Sequence, residues 1–370
     1  MTDDGIGVRK AEHLRLAIED DVEAPLGGAG AFDALRLVYQ PLPEIDRAEV
    51  DPSVTFLGER LAFPLMVGSM TGGTEEAGRI NRRLARAAAR CGIGMFLGSQ
   101  RIMLERAEVA DTFDVREAAP DLPLLVANIG AVQLNCGVTP AQVRGVAQRV
   151  GADAVVFHLN AAQEAVQPGG DTRFSGLADR LEAAVAEVGL PCGVKEVGSG
   201  WSIAAVERLA RMPLAFIESA GRGGTSWTRI EGMRAPAAVS RRLGELFADW
   251  GIPSVTSLLA CVGYGGGLPV IASGGLRSGR DAARALAAGA SMTAMALPLL
   301  RAAARSEDAA VEEMMTFKAA LETAMFLVGA PDLEALRRAR LRVALEARPE
   351  VWEGRVRLSA AVDTEDGRDE

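Results

Sequence analysis

Eight short apolar runs recur along this chain, at 65–68, 94–97, 124–127, 154–157, 193–196, 214–217, 269–272 and 292–296. Runs of this length without polar alternation suit strands buried on both faces, as in a parallel sheet covered by helices. Most of the intervening stretches, such as 76–90, 141–150 and 177–188, are rich in Ala, Arg and Leu and carry helical periodicity. Eight strand–helix alternations predict an α/β fold of the TIM (β/α)8 barrel type. The segment 252–256 could pass for another strand, but Pro253 and Ser254 suit the first turn of a helix. Residues 1–60, a helical segment at 11–18 among Gly- and Pro-rich connections, are expected to cap the same domain. The barrel is expected over 61–350, with 305–350 as two closing helices and 351–370 as an acidic, disordered tail.

The net charge of −9 sits mostly at the ends, with seven acidic against three basic side chains in 1–24 and five against one in 361–370. The body between them is nearly neutral, and nothing resembles a basic nucleic-acid stripe. No run of 18 apolar residues appears, so no membrane span is expected, and the first ten residues are polar rather than signal-like. Cys91, Cys136, Cys192 and Cys261 are scattered without a CxxC pair, which suits a reducing cytoplasm.

In a barrel of this kind the residues following each strand share one rim, and that rim carries the chemistry. Here it holds Ser69-Met70-Thr71-Gly72-Gly73, Ser99-Gln100-Arg101, Asn128, then His158, Asn160, Gln163 and Glu164 after the fourth run. Lys195 lies at the end of the fifth run and is one of only three lysines among forty basic residues. A compact point charge in an Arg-rich chain suggests a site that Arg cannot fill; a buried ion pair with Glu196 or Glu218 is the alternative. More than 50 residues separate the sixth run from the seventh, beginning with the glycine-rich 221–227, which reads as a functional loop. After the seventh run, Ser273-Gly274-Gly275-Leu276-Arg277-Ser278-Gly279 precedes a helix at 281–288. Glycines admit close approach of backbone N–H groups to a phosphate, and barrels commonly bind phosphate at the loops after strands seven and eight. A phosphate grip there, a Lys at the fifth strand and amides at the second to fourth fit a flavin mononucleotide across the mouth, with Lys195 near its N1 edge.

Taken together, these motifs resemble the type 2, FMN-dependent isopentenyl diphosphate isomerases. The resemblance runs in order over about residues 8 to 340 and rests on Arg9-Lys10 with His13, Ser69 to Gly73, Gly98 to Arg101 and Ala127 to Gly130. It continues through His158-Leu159-Asn160 with Gln163-Glu164, Lys195 to Gly198, Gly223 to Trp227 with Glu231 and Arg234, and Ser273 to Gly275. It implies a TIM barrel that binds FMN, needs NADPH as reductant and Mg²⁺, and interconverts isopentenyl and dimethylallyl diphosphate as a homo-oligomer, tetramer or octamer. On this resemblance Ser69, Met70, Thr71, Ser99, Asn128, Lys195 and Thr225 would hold the flavin ring and ribityl chain. Gly275, Arg277, Ala296 and Leu297 would frame its phosphate. Arg9, Lys10, His13, Ser99, Gln100 and Arg101 would contact the substrate diphosphate with His158, Asn160 and Gln163 close by, and Glu164 would bind Mg²⁺. Gln163 and His158 would serve the chemistry, with the reduced flavin as the acid/base group. Arg222, Glu218 and Trp201 depart from the family's pattern without removing any of these residues.

Two other readings compete. An FMN-barrel oxidoreductase of the 2-hydroxy-acid type would need a His base paired with an Asp, and His158 is the rim's candidate; Glu164 and the 9–13 segment would have no task. A non-catalytic homologue that binds flavin or prenyl diphosphate is the third.

Overall fold

The computed structural model describes residues 5–25 and 30–355. The acidic tail therefore lies outside the described residues from 356 onward. Eight parallel strands close into a barrel: β1 Leu65–Val67, β2 Gly94–Phe96, β3 Leu125–Gly130, β4 Ala154–Leu159, β5 Cys192–Glu196, β6 Phe216–Glu218, β7 Val270–Ala272 and β8 Met292–Met295. Each coincides with one of the eight apolar runs, to within three residues at either end.

Strand alternation divides the core into two. Leu65, Val67, Leu125, Ala127, Val155 and Phe157 pack outward against the helices. Met66, Phe96, Val126, Ala154, Val156, Phe216 and Ile271 fill the barrel interior. A hairpin, Val54–Phe56 with Glu59–Leu61, adds Phe56 and Leu61 to that interior cluster. Following each inward column upward, the apolar filling gives way to polar side chains. Val126 is succeeded by Asn128, Val156 by His158, Phe216 by Glu218 and Ile271 by Ser273, because residues two apart face the same way. Register aligns the upper layer: Gly130 pairs with His158, His158 with Lys195, and Lys195 with Glu218.

The helices expected at 76–90, 141–150 and 177–188 form as Glu75–Cys91, Pro140–Arg149 and Leu177–Val188, the first two capped by Thr74 and Thr139. The 252–256 segment is indeed a helix start, with Ser254–Tyr264 following Pro253. The long connection after β6 is mostly helical, adding Trp227–Arg234 and Ala238–Leu246 beyond its glycine loop. Residues 305–350 depart from two closing helices. Glu307–Leu327 is long, but the second helix is only Leu333–Arg338, and Leu341–Val343 then pairs antiparallel with Leu35–Leu37. A three-residue strand whose partner lies 300 residues away leaves no periodic signal. No described helix is long and apolar enough to cross a membrane.

Candidate active site

The N-terminal helix Gly5–Glu19 brings Arg9, Lys10 and His13 to the C-terminal mouth of the barrel, where a cavity of about 240 Å³ is lined by rim residues from every strand. Ala24 N–H donates to Gly224 O (2.8 Å) and Ser226 N–H to Val22 O (2.8 Å), fastening the segment after this helix to the glycine loop. Ser69, Met70, Thr71, Ser99, Asn128, Lys195 and Thr225 line the cavity. So do Arg101, His158, Asn160, Gln163 and Glu164, and Gly275, Arg277, Ala296 and Leu297 at β7 and β8. Gln100 alone among the expected residues does not. Its side chain is wholly buried behind the rim, where Oε1 accepts from Asn128 N–H (2.9 Å) and Nε2 lies 3.3 Å from Met103 Sδ. Gln100 thus shapes β3 instead of reaching the cavity.

The geometry of β3 and β4 fixes the state of His158. Asn128 Nδ2 donates to Leu97 O (3.1 Å), which turns Asn128 Oδ1 toward His158 Nδ1 at 2.7 Å. An oxygen there accepts, so Nδ1 carries the proton and Nε2 keeps its lone pair. Burial, with Lys195 and Lys10 nearby, lowers the His158 pKa to about 3, so the ring is neutral.

On the same side stand the cations. Lys10 Nζ donates to Ser99 O (2.8 Å) and lies 5.0 Å from the centre of the Phe113 ring. Burial, then the Arg9 charge, lowers its pKa to about 7. Among the described residues no carboxylate oxygen lies within 4 Å of Arg9 or Lys10. Arg101 instead pairs with Asp171 (2.7 Å) and Glu105 (3.3 Å).

Facing them, Glu164 is oriented by two donors: Asn160 Nδ2 to Oε1 (2.9 Å) and Asp171 N–H to Oε2 (2.7 Å). Gln163 is held at both ends, with Nε2 donating to Glu231 Oε1 (2.9 Å) and Oε1 accepting from Asn160 Nδ2 (3.1 Å). Glu231 itself is fully buried, with His13 Nε2 at 2.9 Å and Arg234 Nη1 at 2.7 Å. Burial pushes its pKa up, but His13, Gln163 and Arg234 outweigh this and lower it to about 2. His13 moves below its ordinary value because burial outweighs Glu231. With its amide oriented to satisfy both ends, Gln167 accepts from Arg9 Nη1 (2.9 Å) and donates to Glu231 Oε1 (3.0 Å).

At the opposite wall Lys195 Nζ donates to Glu196 O (2.6 Å) and lies 3.7 Å from Glu218 Oε1, which also accepts from Ser273 Oγ (2.7 Å). Lys195 thus has the anticipated neighbours and still borders the cavity. The β7 loop turns through positive φ at Gly274 and Gly275; a Cβ on Gly275 would stand 1.8 Å from Gly223 O, so only glycine permits this contact. The helix after β7, Gly279–Ala287, is already capped by Ser278. The helix after β8, Leu297–Arg305, has no side-chain cap, although Pro298 in its first turn supplies no N–H. Arg277 is paired with Glu23 beside this loop.

Sequence reasoning gave no role to Glu231, Gln167 or Asp171. Glu231 sat in a quoted motif, but its position beside Gln163 depends on the helix Trp227–Arg234 packing against Ala161–Val166, which no local signal reports.

The closed eight-stranded parallel barrel is a TIM barrel in fold. Residues 248–343 match the FMN-dependent dehydrogenase family. Mandelate oxidase structures share the fold: one has a TM-score of 0.63 at 17% identity over 93% of this chain and 100% of its own, another 0.61 at 18% over 91% and 97%. The chain belongs to the isopentenyl-diphosphate delta-isomerase family. It is 46% identical over 330 residues to the isopentenyl-diphosphate delta-isomerase of Synechococcus sp., covering 89% of this chain and 94% of that protein. It is 41% identical over 335 residues to that of Rickettsia akari, covering 90% and 97%.

Proposed function

We propose that the protein interconverts isopentenyl and dimethylallyl diphosphate with FMN and Mg²⁺ bound at the barrel mouth. The observation that carries this is the meeting, in one cavity, of Arg9 and Lys10, which have no carboxylate oxygen within 4 Å among the described residues, with a carboxylate, Glu164, oriented by Asn160 and Asp171. A diphosphate calls for both kinds of partner: basic side chains and a hard cation on an oxygen ligand. One carboxylate is enough for Mg²⁺, which commonly takes its remaining ligands from water and substrate phosphates.

The lining also fits a flavin. Ser69 Oγ and Glu218 Oε2 are buried polar atoms without hydrogen-bond partners beside the cavity, as expected where a ligand completes the bonding. Ser69, Met70, Thr71, Ser99, Asn128, Lys195 and Thr225 would hold the ring and ribityl chain; Gly275, Arg277, Ala296 and Leu297 would frame the phosphate. Reduced FMN would supply a proton donor and acceptor over an alkene that has no polar handle of its own. The side chains then have separable tasks. Arg9, Lys10, His13, Ser99 and Arg101 bind diphosphate, while neutral His158 offers an Nε2 acceptor. Asn160 and Glu231 fix the Gln163 amide, which cannot titrate and therefore orients the substrate or passes a proton along. NADPH as reductant, a homo-oligomer and a cytoplasmic location belong to the same proposal, as does the division into a 1–60 cap, a 61–350 barrel and a 351–370 tail.

An oxidoreductase of the 2-hydroxy-acid type is the poorer reading. His158 has an amide partner, Asn128, in place of a carboxylate, and a pKa of about 3 makes it a weak base at neutral pH.

Two measurements test the diphosphate side. Glu164→Gln should raise the Mg²⁺ concentration needed for half-maximal turnover by about ten- to a hundredfold, the factor attached to one charged contact; an unchanged requirement counts against Glu164 as the metal ligand. Lys10 provides a proton signature. With its free pKa near about 7, an adjacent diphosphate raises it, so binding takes up protons above pH 7 and few at pH 6. Calorimetry at pH 8 in buffers of different ionisation enthalpy should report uptake; buffer-independent heats would remove Lys10 from the anion site.

A further inference from the structure

We propose that Asp171 is a positioning residue that ties the cationic side of the diphosphate site to its metal side, an inference that rests on the function proposed above. Asp171 follows the helix Ala161–Val166 through the turn Gln167-Pro168-Gly169-Gly170, which folds back over Glu164. Gly170 makes this return possible: a Cβ there would stand 2.1 Å from Glu164 O. The turn delivers the Asp171 N–H to Glu164 Oε2 at 2.7 Å. The side chain reaches the other way, with Oδ2 accepting from Arg101 Nη1 at 2.7 Å and lying 3.4 Å from Gln133 Nε2. One residue thereby links the loops after β2, β3 and β4.

The link has a chemical consequence at each end. Arg101 carries a flexible stem whose freedom opposes anion binding; fixing Nη1 on Asp171 and Nε on Glu105 still leaves Nη2 available. Glu164, held at Oε2 by Asp171 and at Oε1 by Asn160, presents its carboxylate in one orientation, as outer partners of metal ligands do. Burial pushes the Asp171 carboxyl up, but Arg101, Gln133 and then Arg173, whose Nη2 lies 3.5 Å from Oδ1, hold it below its ordinary pKa.

Simple Coulomb attraction argues the opposite of a brace. A carboxylate beside an anion site repels the anion, so its removal alone would tighten binding. The sign of the effect is therefore the test. Inorganic pyrophosphate is titrated calorimetrically, with and without Mg²⁺, into the full-length chain and its Asp171→Ala and Asp171→Asn variants. The brace predicts that Asp171→Ala weakens Mg²⁺-dependent pyrophosphate binding about tenfold or more. Both variants keep the backbone donor to Glu164, but only Asp171→Asn keeps a side-chain acceptor for Arg101, so it recovers most of the affinity while staying weaker than wild type. Unchanged or tighter binding in the alanine variant overturns the brace. Should that variant not fold, tighter binding by Asp171→Asn overturns it, and weaker binding supports it. A wild-type chain that binds no Mg²⁺-pyrophosphate overturns the diphosphate reading of the site and the brace with it.

Discussion

Glu231→Ala is expected to reduce turnover by at least about a hundredfold, the scale of loss when a reacting group is held an ångström out of place. The same change should lower stability by about 3 kcal/mol, because it strips Arg234 of its buried carboxylate and leaves His13 and Gln163 without their buried partner. Both effects come from one carboxylate with no exposed surface. Glu231 holds the Gln163 amide from below, stands beside His13 and pairs with Arg234, whose other carboxylate partner is Glu12. Without it Gln163 can turn, His13 loses the group that offsets its burial, and Arg234 keeps only the more exposed Glu12. Glu231→Gln, which preserves volume, should fall between wild type and alanine in both measurements. Full turnover in the alanine variant would detach Gln163 from the chemistry. The ionisation pattern adds a pH dependence. Glu231 is depressed to about 2, so its contribution is full above the ordinary carboxylate range and fades as pH falls toward 2. His13 and His158 are also lowered, so the unfolded chain binds protons that the folded one does not once pH drops below about 6.5. Urea melts at pH 5 should therefore show a less stable protein than melts at pH 7.5.

Lys195→Met should weaken FMN binding about ten- to a hundredfold, the range for one lost hydrogen bond to a charged group. It should also move the flavin's midpoint potential to more negative values, because a positive charge beside the ring favours the electron-rich reduced form. Lys195 is almost fully buried at the end of β5, and Met keeps the apolar stem while removing the charge. A cost in stability follows as well, since Glu218 would retain Ser273 as a partner but lose the cation 3.7 Å away. An unaltered potential and unaltered FMN affinity would mean that Lys195 only neutralises Glu218, the ion-pair alternative its sequence context left open.

The barrel was legible because each strand is a compact apolar run and each intervening helix carries its own period. The rim was legible because strand-end position alone gathers Arg101, Asn128, His158, Glu164 and Lys195. What escaped depends on contacts between distant segments. The Leu35–Leu37 and Leu341–Val343 pair is too short to leave a pattern. Gln100 looked like a rim residue by position, but its helix start turns the side chain inward onto β3. That Ser278 caps the helix after β7 while the helix after β8 has no side-chain cap is fixed by backbone geometry. Glu231 and Asp171 act through Gln163, Arg101 and Glu164, and residues that act through others have no motif of their own.

The central claim is that this cavity protonates and deprotonates the carbon skeleton of a prenyl diphosphate without net redox change. The most direct test is incubation of the purified chain with isopentenyl diphosphate, reduced FMN and Mg²⁺ in D₂O, followed by mass analysis of the products. The predicted result is dimethylallyl diphosphate carrying deuterium, lost when FMN is left oxidised. Recovery of unlabelled isopentenyl diphosphate with no dimethylallyl product would contradict it.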